Sequence, residues 1–490
     1  MTTDILTYLF SPSTLLLLAI GTWLGIFVGA IPGLTGAMLI ALSLPLTFSM
    51  DGTDALALLI SMYVGSVSGG LITATLLKMP GTPSSIMTTL DGYPLASSGQ
   101  PGRALGLGIS ASGMGGFISW IFLVTLATPV AAFAHHLGPF DYFALIIMAM
   151  ALIALVGDSM LAGWLSGFLG ILFSMPGSSP ASGDIRMTFG FPSLNDGFKL
   201  LPVMIGLYAI GEVVLMLKKN DGKTEEVKMN PQGMWMSLSD WGRHFVNIFR
   251  SSLLGTWIGV LPGIGANVGS VTAYTLAKKY SKEPEKFGHG SEEGIVASES
   301  ANNATVGGAL IPLLAMGIPG SVIDAILLGG MVIHGLQPGP LLMKNNPEAV
   351  WSLTGAMFIS NIMMIFLMVI SVGWLSKLAK IPKYFLVPSI LVFCIIGSYA
   401  LSNRLFDVWV MLAFGLIGLA MRKLKIPLAP FIIGFVLWPL AEENLGTALM
   451  AHHGSLLPLF QAPIACSLLV IAGAMIIVPI FKKYQQRSKV

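Results

Sequence analysis

Twice in this chain a long apolar run meets a Pro-Gly pair and resumes beyond further glycine. Residues 25–37 read GIFVGAIPGLTGA, with Pro32-Gly33 at the break, and residues 255–266 read GTWIGVLPGIGA, with Pro262-Gly263. Proline removes a backbone donor and glycine weakens a helix, so each run must lose its helix near the pair. In lipid, unpaired backbone is prohibitive, and such breaks survive only inside protein or beside a water-filled cavity. Two of them in matching halves predict a secondary transporter with its substrate site at the repeat interface.

Lipid is the relevant solvent because hydrophobic residues make up 54% of the 490 and charged residues only 10%. The mean hydropathy is +0.81. These values describe an all-α polytopic membrane protein. The net charge of +3 is too small to indicate nucleic acid as a partner. Cys394 and Cys466 lie far apart in apolar runs and read as small core residues. No basic residue precedes the first apolar run, which therefore reads as a retained membrane segment.

Hydropathy gives candidate spans at 13–31, 34–48, 54–78, 104–134, 140–157, 160–175, 200–217, 246–262, 303–334, 350–376, 385–400, 407–421, 428–441 and 463–481. A full crossing needs about 20 residues, so 34–48, 160–175 and 385–400 are expected to be half-helices or re-entrant segments, as is 264–280. About 11–14 membrane segments result. The duplication runs beyond the breaks. Gly69-Gly70 matches Gly307-Gly308, Pro80-Gly81 matches Pro319-Gly320, Gln100-Pro101-Gly102 matches Gln337-Pro338-Gly339, and Pro202 with Gly206 matches Pro430 with Gly434. The order is kept, and these offsets stay between 228 and 239 residues.

Charge placement orients the chain. Lys218, Lys219, Lys223, Lys228, Arg243 and Arg250 crowd one segment, and Lys482, Lys483, Arg487 and Lys489 the tail, while 1–12 and 446–462 hold no Lys or Arg. The positive-inside rule puts the first two in the cytoplasm and the N-terminus outside. We therefore expect a first membrane repeat at 13–217, a cytoplasmic linker at 218–250, an inverted second repeat at 251–445 and an extra transmembrane helix at 463–481.

Two polar groupings carry the candidate chemistry. The first is a pair of hairpin tips, one with Lys78, Gly81, Thr82, Ser84 and Ser85, the other with Gly320 and Ser321. A half-helix starting at such a tip offers free N–H groups and a positive dipole end to a carboxylate. The alternative is a sharp loop capped by Ser and Thr. Lys78 either binds a substrate carboxylate, reaches an interface or pairs with Asp91. Thr35, beyond the first break, belongs with the tips as a substrate contact. The second grouping is Glu299, Asn302, Asn303 and Thr305, with Asn267 and Asp324. Amide and carboxylate oxygens of this kind coordinate Na⁺, or Glu299 carries a proton. The alternative is a capped helix N-terminus. Glu212, Asp158, Arg404, Asp407, Glu442 and Glu443 flank span ends and read as interfacial, as do His135-His136 and His452-His453. No GxxxxGK[ST], GxSxG or HExxH pattern occurs, so neither ATP-driven transport nor an enzyme is expected.

The segments GAIPGLTGAM, KMPGTPSS with YPLASSGQPGRALG, GVLPGIGAN, and EGIVASESANNATVGGALIPLLAMGIPG closely resemble the large membrane subunit of the tripartite tricarboxylate transporters, the TctA family. The likeness covers nearly the whole chain and is most specific from ASESANNA to MGIPG. It implies a carrier for di- or tricarboxylates in the bacterial inner membrane, multi-pass in the lipid bilayer. Its implied partners are a small membrane subunit and a periplasmic solute-binding protein. No cofactor is implied beyond a coupling ion, Na⁺ or H⁺.

The resulting expectation is citrate-like carboxylate uptake by alternating access, with a periplasmic N-terminus and a cytoplasmic C-terminus. The alternative is a cation/proton antiporter without organic substrate. A membrane-embedded scaffold is disfavoured, because a scaffold gains nothing from interrupted helices.

Overall fold

Helices stop where proline and glycine interrupt the apolar runs, and this divides the chain into long and short segments. The computed structural model describes residues 2–31, 34–154, 159–218, 227, 230–378, 383–400 and 402–487. Pro32-Gly33 and Asp158 lie outside the described residues. The first half comprises α1 (Thr2–Leu9), α2 (Pro12–Ala30), α3 (Gly36–Thr47), α4 (Gly52–Leu76), α5 (Ile86–Ser97), α6 (Pro101–Ala134), α7 (Pro139–Ala154) and α8 (Met160–Ser174). A two-residue antiparallel ribbon, β1 (Gly177–Ser178) with β2 (Ile185–Arg186), follows. Next come α9 (Leu200–Met204), a π-helical turn (Ile205–Ile210) and α10 (Gly211–Lys218). The second half comprises α11 (Leu238–Val260), α12 (Gly265–Tyr280), α13 (Glu292–Met316), α14 (Val322–Ile333), α15 (Leu342–Asn345), α16 (Pro347–Leu378), α17 (Lys383–Ala400), α18 (Leu405–Lys423), α19 (Leu428–Ala451), α20 (Leu457–Gln461) and α21 (Pro463–Arg487).

Among the described residues, α2, α4, α6, α16, α18 and α19 are long and apolar enough to cross a membrane. The protein is an all-α polytopic membrane protein. The short segments read from hydropathy are short here: α3 has 12 residues, α8 15 and α12 16. Thr35 starts α3 by accepting the Met38 N–H at 3.1 Å, while Gly263, between α11 and α12, and Gly265, the first residue of α12, take positive φ.

The centre of the molecule is built from α4 and α13. Every residue from Ala55 to Leu77, and from Gly294 to Ala315, is buried. Polar side chains can therefore sit along both helices without meeting lipid. Glycine lets each of them take a close partner. A Cβ on Gly25 of α2 would lie 2.4 Å from the Met62 carbonyl oxygen of α4, and one on Gly259 of α11 would lie 2.4 Å from that of Thr305 of α13. The same type of small-residue contact thus joins α2 to α4 and α11 to α13.

Three elements differ from the hydropathy reading. The span read as 303–334 is two helices, since α13 ends at Met316 and Gly317 takes a left-handed conformation (φ 72°). Its N–H then returns to the Leu313 carbonyl at 3.0 Å, closing the helix end. Helix α11 begins at Leu238, inside the segment read as linker, because Ser237 and Asp240 form a capping box there. Helix α19 runs on to Ala451 and carries Glu442 and Glu443 within it.

Candidate functional site

The two hairpin tips are placed by matching contacts. In the first, Gly81 is buried so closely that a Cβ there would lie 2.2 Å from the Gly29 carbonyl oxygen, at the end of α2. In the second, a Cβ on Gly320 would lie 2.6 Å from the Gly259 carbonyl oxygen, at the end of α11. The Gly263 N–H, inside the second break, donates to the Gly320 carbonyl at 2.7 Å. Each tip also faces the opposite half. The turn Pro83–Ser85 packs on α12, and α14 packs on α3 and α4.

Between the tips, α4 and α13 cross. Ser68 donates to Asn303 Oδ1 at 2.6 Å, and Asn302 Nδ2 donates to the Val67 carbonyl at 3.1 Å. Earlier on α4, the Tyr63 hydroxyl shares a 3.3 Å hydrogen bond with Ser321, beyond the C-terminal end of α13. Moving back along α4 is therefore moving forward along α13, and the two run antiparallel.

The tip hydroxyls close their own turns. Ser85 donates to the Thr82 carbonyl at 2.8 Å and accepts the Thr82 N–H at 3.2 Å, while Thr82 and Ser84 share a bond at 3.1 Å. Ser321 caps α14 by accepting the Asp324 N–H at 3.3 Å. Lys78 has φ 54° and is exposed, with Nζ 5.4 Å from the centre of the Tyr93 ring. Asp91 is engaged elsewhere: its Oδ1 accepts the N–H groups of Gly288 (2.8 Å), Gly290 (3.0 Å) and Ser291 (2.8 Å). That one oxygen holds the turn entering α13 against α5.

Glu299, Asn302, Asn303 and Thr305 all lie in the interior of α13 and are buried; they are not at a helix start. Glu299 receives the hydroxyls of Thr88, from α5, and Ser112, from α6, on its two oxygens. Asn303 Nδ2 donates to the Glu299 carbonyl at 3.3 Å, and Thr305 donates to the Asn302 carbonyl at 2.6 Å. Asn302 Oδ1 is buried without a hydrogen-bond partner. Asn267 is exposed on the first turn of α12. Asp324 is fully buried in the first turn of α14. The structure thus gathers Glu299, Asn302, Asn303 and Thr305 at the crossing, and Ser321 with Asp324 at the second tip.

Several polar partners were not evident from sequence. Tyr63, Ser68, Thr88 and Ser112 are ordinary residues in small or apolar surroundings, and only the crossing of α4, α5 and α6 with α13 brings them to this cluster. A second group ties helix ends together at the linker. Arg103, at the start of α6, forks onto Asp240 of α11 (2.7 and 2.6 Å) and onto Glu292 of α13 (2.8 and 3.0 Å). The Arg103 guanidinium beside Asp240 holds that carboxyl well below the usual carboxylate range.

The family model described as the tripartite tricarboxylate transporter TctA family matches residues 15–433. An Agrobacterium vitis protein named as an uncharacterized 52.8 kDa protein in the TAR-I ttuC' 3' region is 33% identical over 473 residues, covering 96% of this chain and 94% of that protein. A second from the same organism, named for the TAR-II ttuC' 3' region, is 35% identical over 233 residues, covering 48% of this chain and 96% of its own length. No solved structure matches. The chain belongs to the tripartite tricarboxylate transporter TctA family.

Proposed function

We propose that this chain is the large membrane subunit of an ion-gradient-driven carrier that takes up di- or tricarboxylates by alternating access. The observation that carries the reading is the reciprocal placement of the tips, each seated on the glycine end of its own half and facing the short helix of the other half. This supports two inverted repeats, 13–217 and 251–445, sharing one site. The tip N–H groups with Thr35, Thr82, Ser84, Ser85 and Ser321 form the anion side, and Lys78 adds a positive charge nearby. Glu299, Asn302, Asn303 and Thr305 form the cation side, with Asp324 and Asn267 at its margins. Coupling to Na⁺ or H⁺ is required by charge: one charge crossing 100 mV is worth about 2.3 kcal/mol, so a multiply charged anion must enter with several cations.

The chain works in a bacterial inner membrane with a small membrane subunit and a periplasmic solute-binding protein, its N-terminus outside and its tail inside. The test is uptake of labelled citrate or tartrate into proteoliposomes holding all three subunits. Gradient-dependent accumulation supports the reading. Cation exchange with no carboxylate uptake overturns it in favour of an antiporter.

A further inference from the structure

The two tips share a plan but differ in charge. In each, a hydroxyl residue precedes the helix and a polar residue follows three positions later, Thr82 with Ser85 and Ser321 with Asp324. In the first tip the box is closed, because Ser85 accepts the Thr82 N–H. In the second the side chain at that position is a carboxylate. Asp324 is fully buried, and neither of its oxygens accepts a hydrogen bond of ordinary geometry. Its polar neighbours are Ser321 and, from α4, Tyr63. Of the other helices packed against α14, α3 and α9 carry no ionisable residue, α4 carries Asp54 in its first turn, α13 carries Glu292, Glu293 and Glu299, and α19 carries Glu443 and Glu442, the latter paired with Arg186. Glu299, by contrast, has a hydroxyl donor on each oxygen.

A carboxylate removed from water without a partner is among the costliest groups a fold can hold. Helix α14 also has room beside it, since a cleft of about 550 Å³ opens next to Ile326 and Val332, bounded by Phe198, Leu200 and Val436. We propose that Asp324 takes up a monovalent cation, H⁺ or Na⁺, when the second tip closes and releases it when that tip opens, whereas the first tip, which has Ser85 in that place, moves without one. The idea rests on the transport reading above and assigns the coupling step to one of its two tips. Cation occupancy makes the closed tip neutral; an unoccupied Asp324 drives it open toward water.

The test separates the two cations and the two proposals. Purified wild type and Asp324→Asn are melted across a Na⁺ series at fixed pH, and across a pH series without Na⁺. Wild type is stabilised by one of the two cations, which names it, and in D324N the half-saturating concentration for that cation rises by about tenfold or more. Asp324→Ser, which copies the first tip, gives the same loss and serves if D324N does not fold. In three-subunit proteoliposomes D324N loses accumulation against a gradient more than it loses exchange of internal for external carboxylate. A variant that keeps the full wild-type response to both cations overturns the assignment. A wild type whose cation response depends on Asp324 but which takes up no carboxylate supports the assignment and defeats the transport reading.

Discussion

Ser68 and Asn303, 235 residues apart, meet at the centre of the molecule, where the serine hydroxyl donates to the amide oxygen at 2.6 Å. Both are buried, one on each of two antiparallel helices. Ser68→Ala leaves Asn303 Oδ1 buried and unsatisfied, a loss of about 1–3 kcal/mol. The expected outcome is a lowered melting midpoint in detergent. An unchanged midpoint would show that the crossing does not depend on this bond. Asn303→Ala should in addition shift the Na⁺ dependence of uptake.

Glu299 receives Thr88 and Ser112 on separate oxygens. Glu299→Gln keeps the shape but turns an N–H₂ toward one hydroxyl. Each hydrogen bond lost there costs about 0.5–1.5 kcal/mol. The variant should still fold and insert, and uptake in proteoliposomes should fall at least tenfold. Wild-type uptake would remove Glu299 from the cation side of the site.

Gly259 sits against the Thr305 backbone with no room for a side chain. Gly259→Val should cost about 1–3 kcal/mol or more through overpacking, read as poor yield of folded protein and a lower midpoint. Gly473 on α21 is the control, because a Cβ there meets nothing within 4 Å. Equal behaviour of G259V and G473V would contradict the close packing of α11 on α13.

Asp240 is held ionised by Arg103, so its carboxyl titrates lower when folded than when unfolded. A group depressed in this way contributes stability above the unfolded value of about 3.9, and that contribution disappears as pH falls through the folded value. Wild type should therefore be more stable than Asp240→Asn at neutral pH, with the gap closing on acidification below about pH 4. Midpoints measured across pH test this, and a gap that widened in acid would carry the wrong sign.

Much of the fold was legible because run length between Pro-Gly pairs limits how long a helix can be. That logic found α3, α8 and α12 as short pieces and placed the tips between apolar arms. It left Asn302 and Asn303 open between cation ligands and helix caps, because amides near the start of an apolar run look like caps; their place inside α13 removes the cap alternative, and α4 alongside explains why a membrane helix carries them in its interior. Lys78 was also ambiguous: sequence offers Asp91 as a partner, but the 288–291 turn binds one oxygen of that carboxylate and the ammonium lies over Tyr93. The start of α11 was hidden by its charge, which resembles a linker until Arg103 of α6 is seen to bind Asp240.

The bonds that pin α4 to α13 resist any shift of one helix along the other. Sliding one past the other would strand the amides of Asn302 and Asn303 in a dry interior, with nothing to replace Val67 and Ser68. The two helices are therefore fastened as one unit, and Ser321 of the second tip is tied to the same unit through Tyr63 of α4.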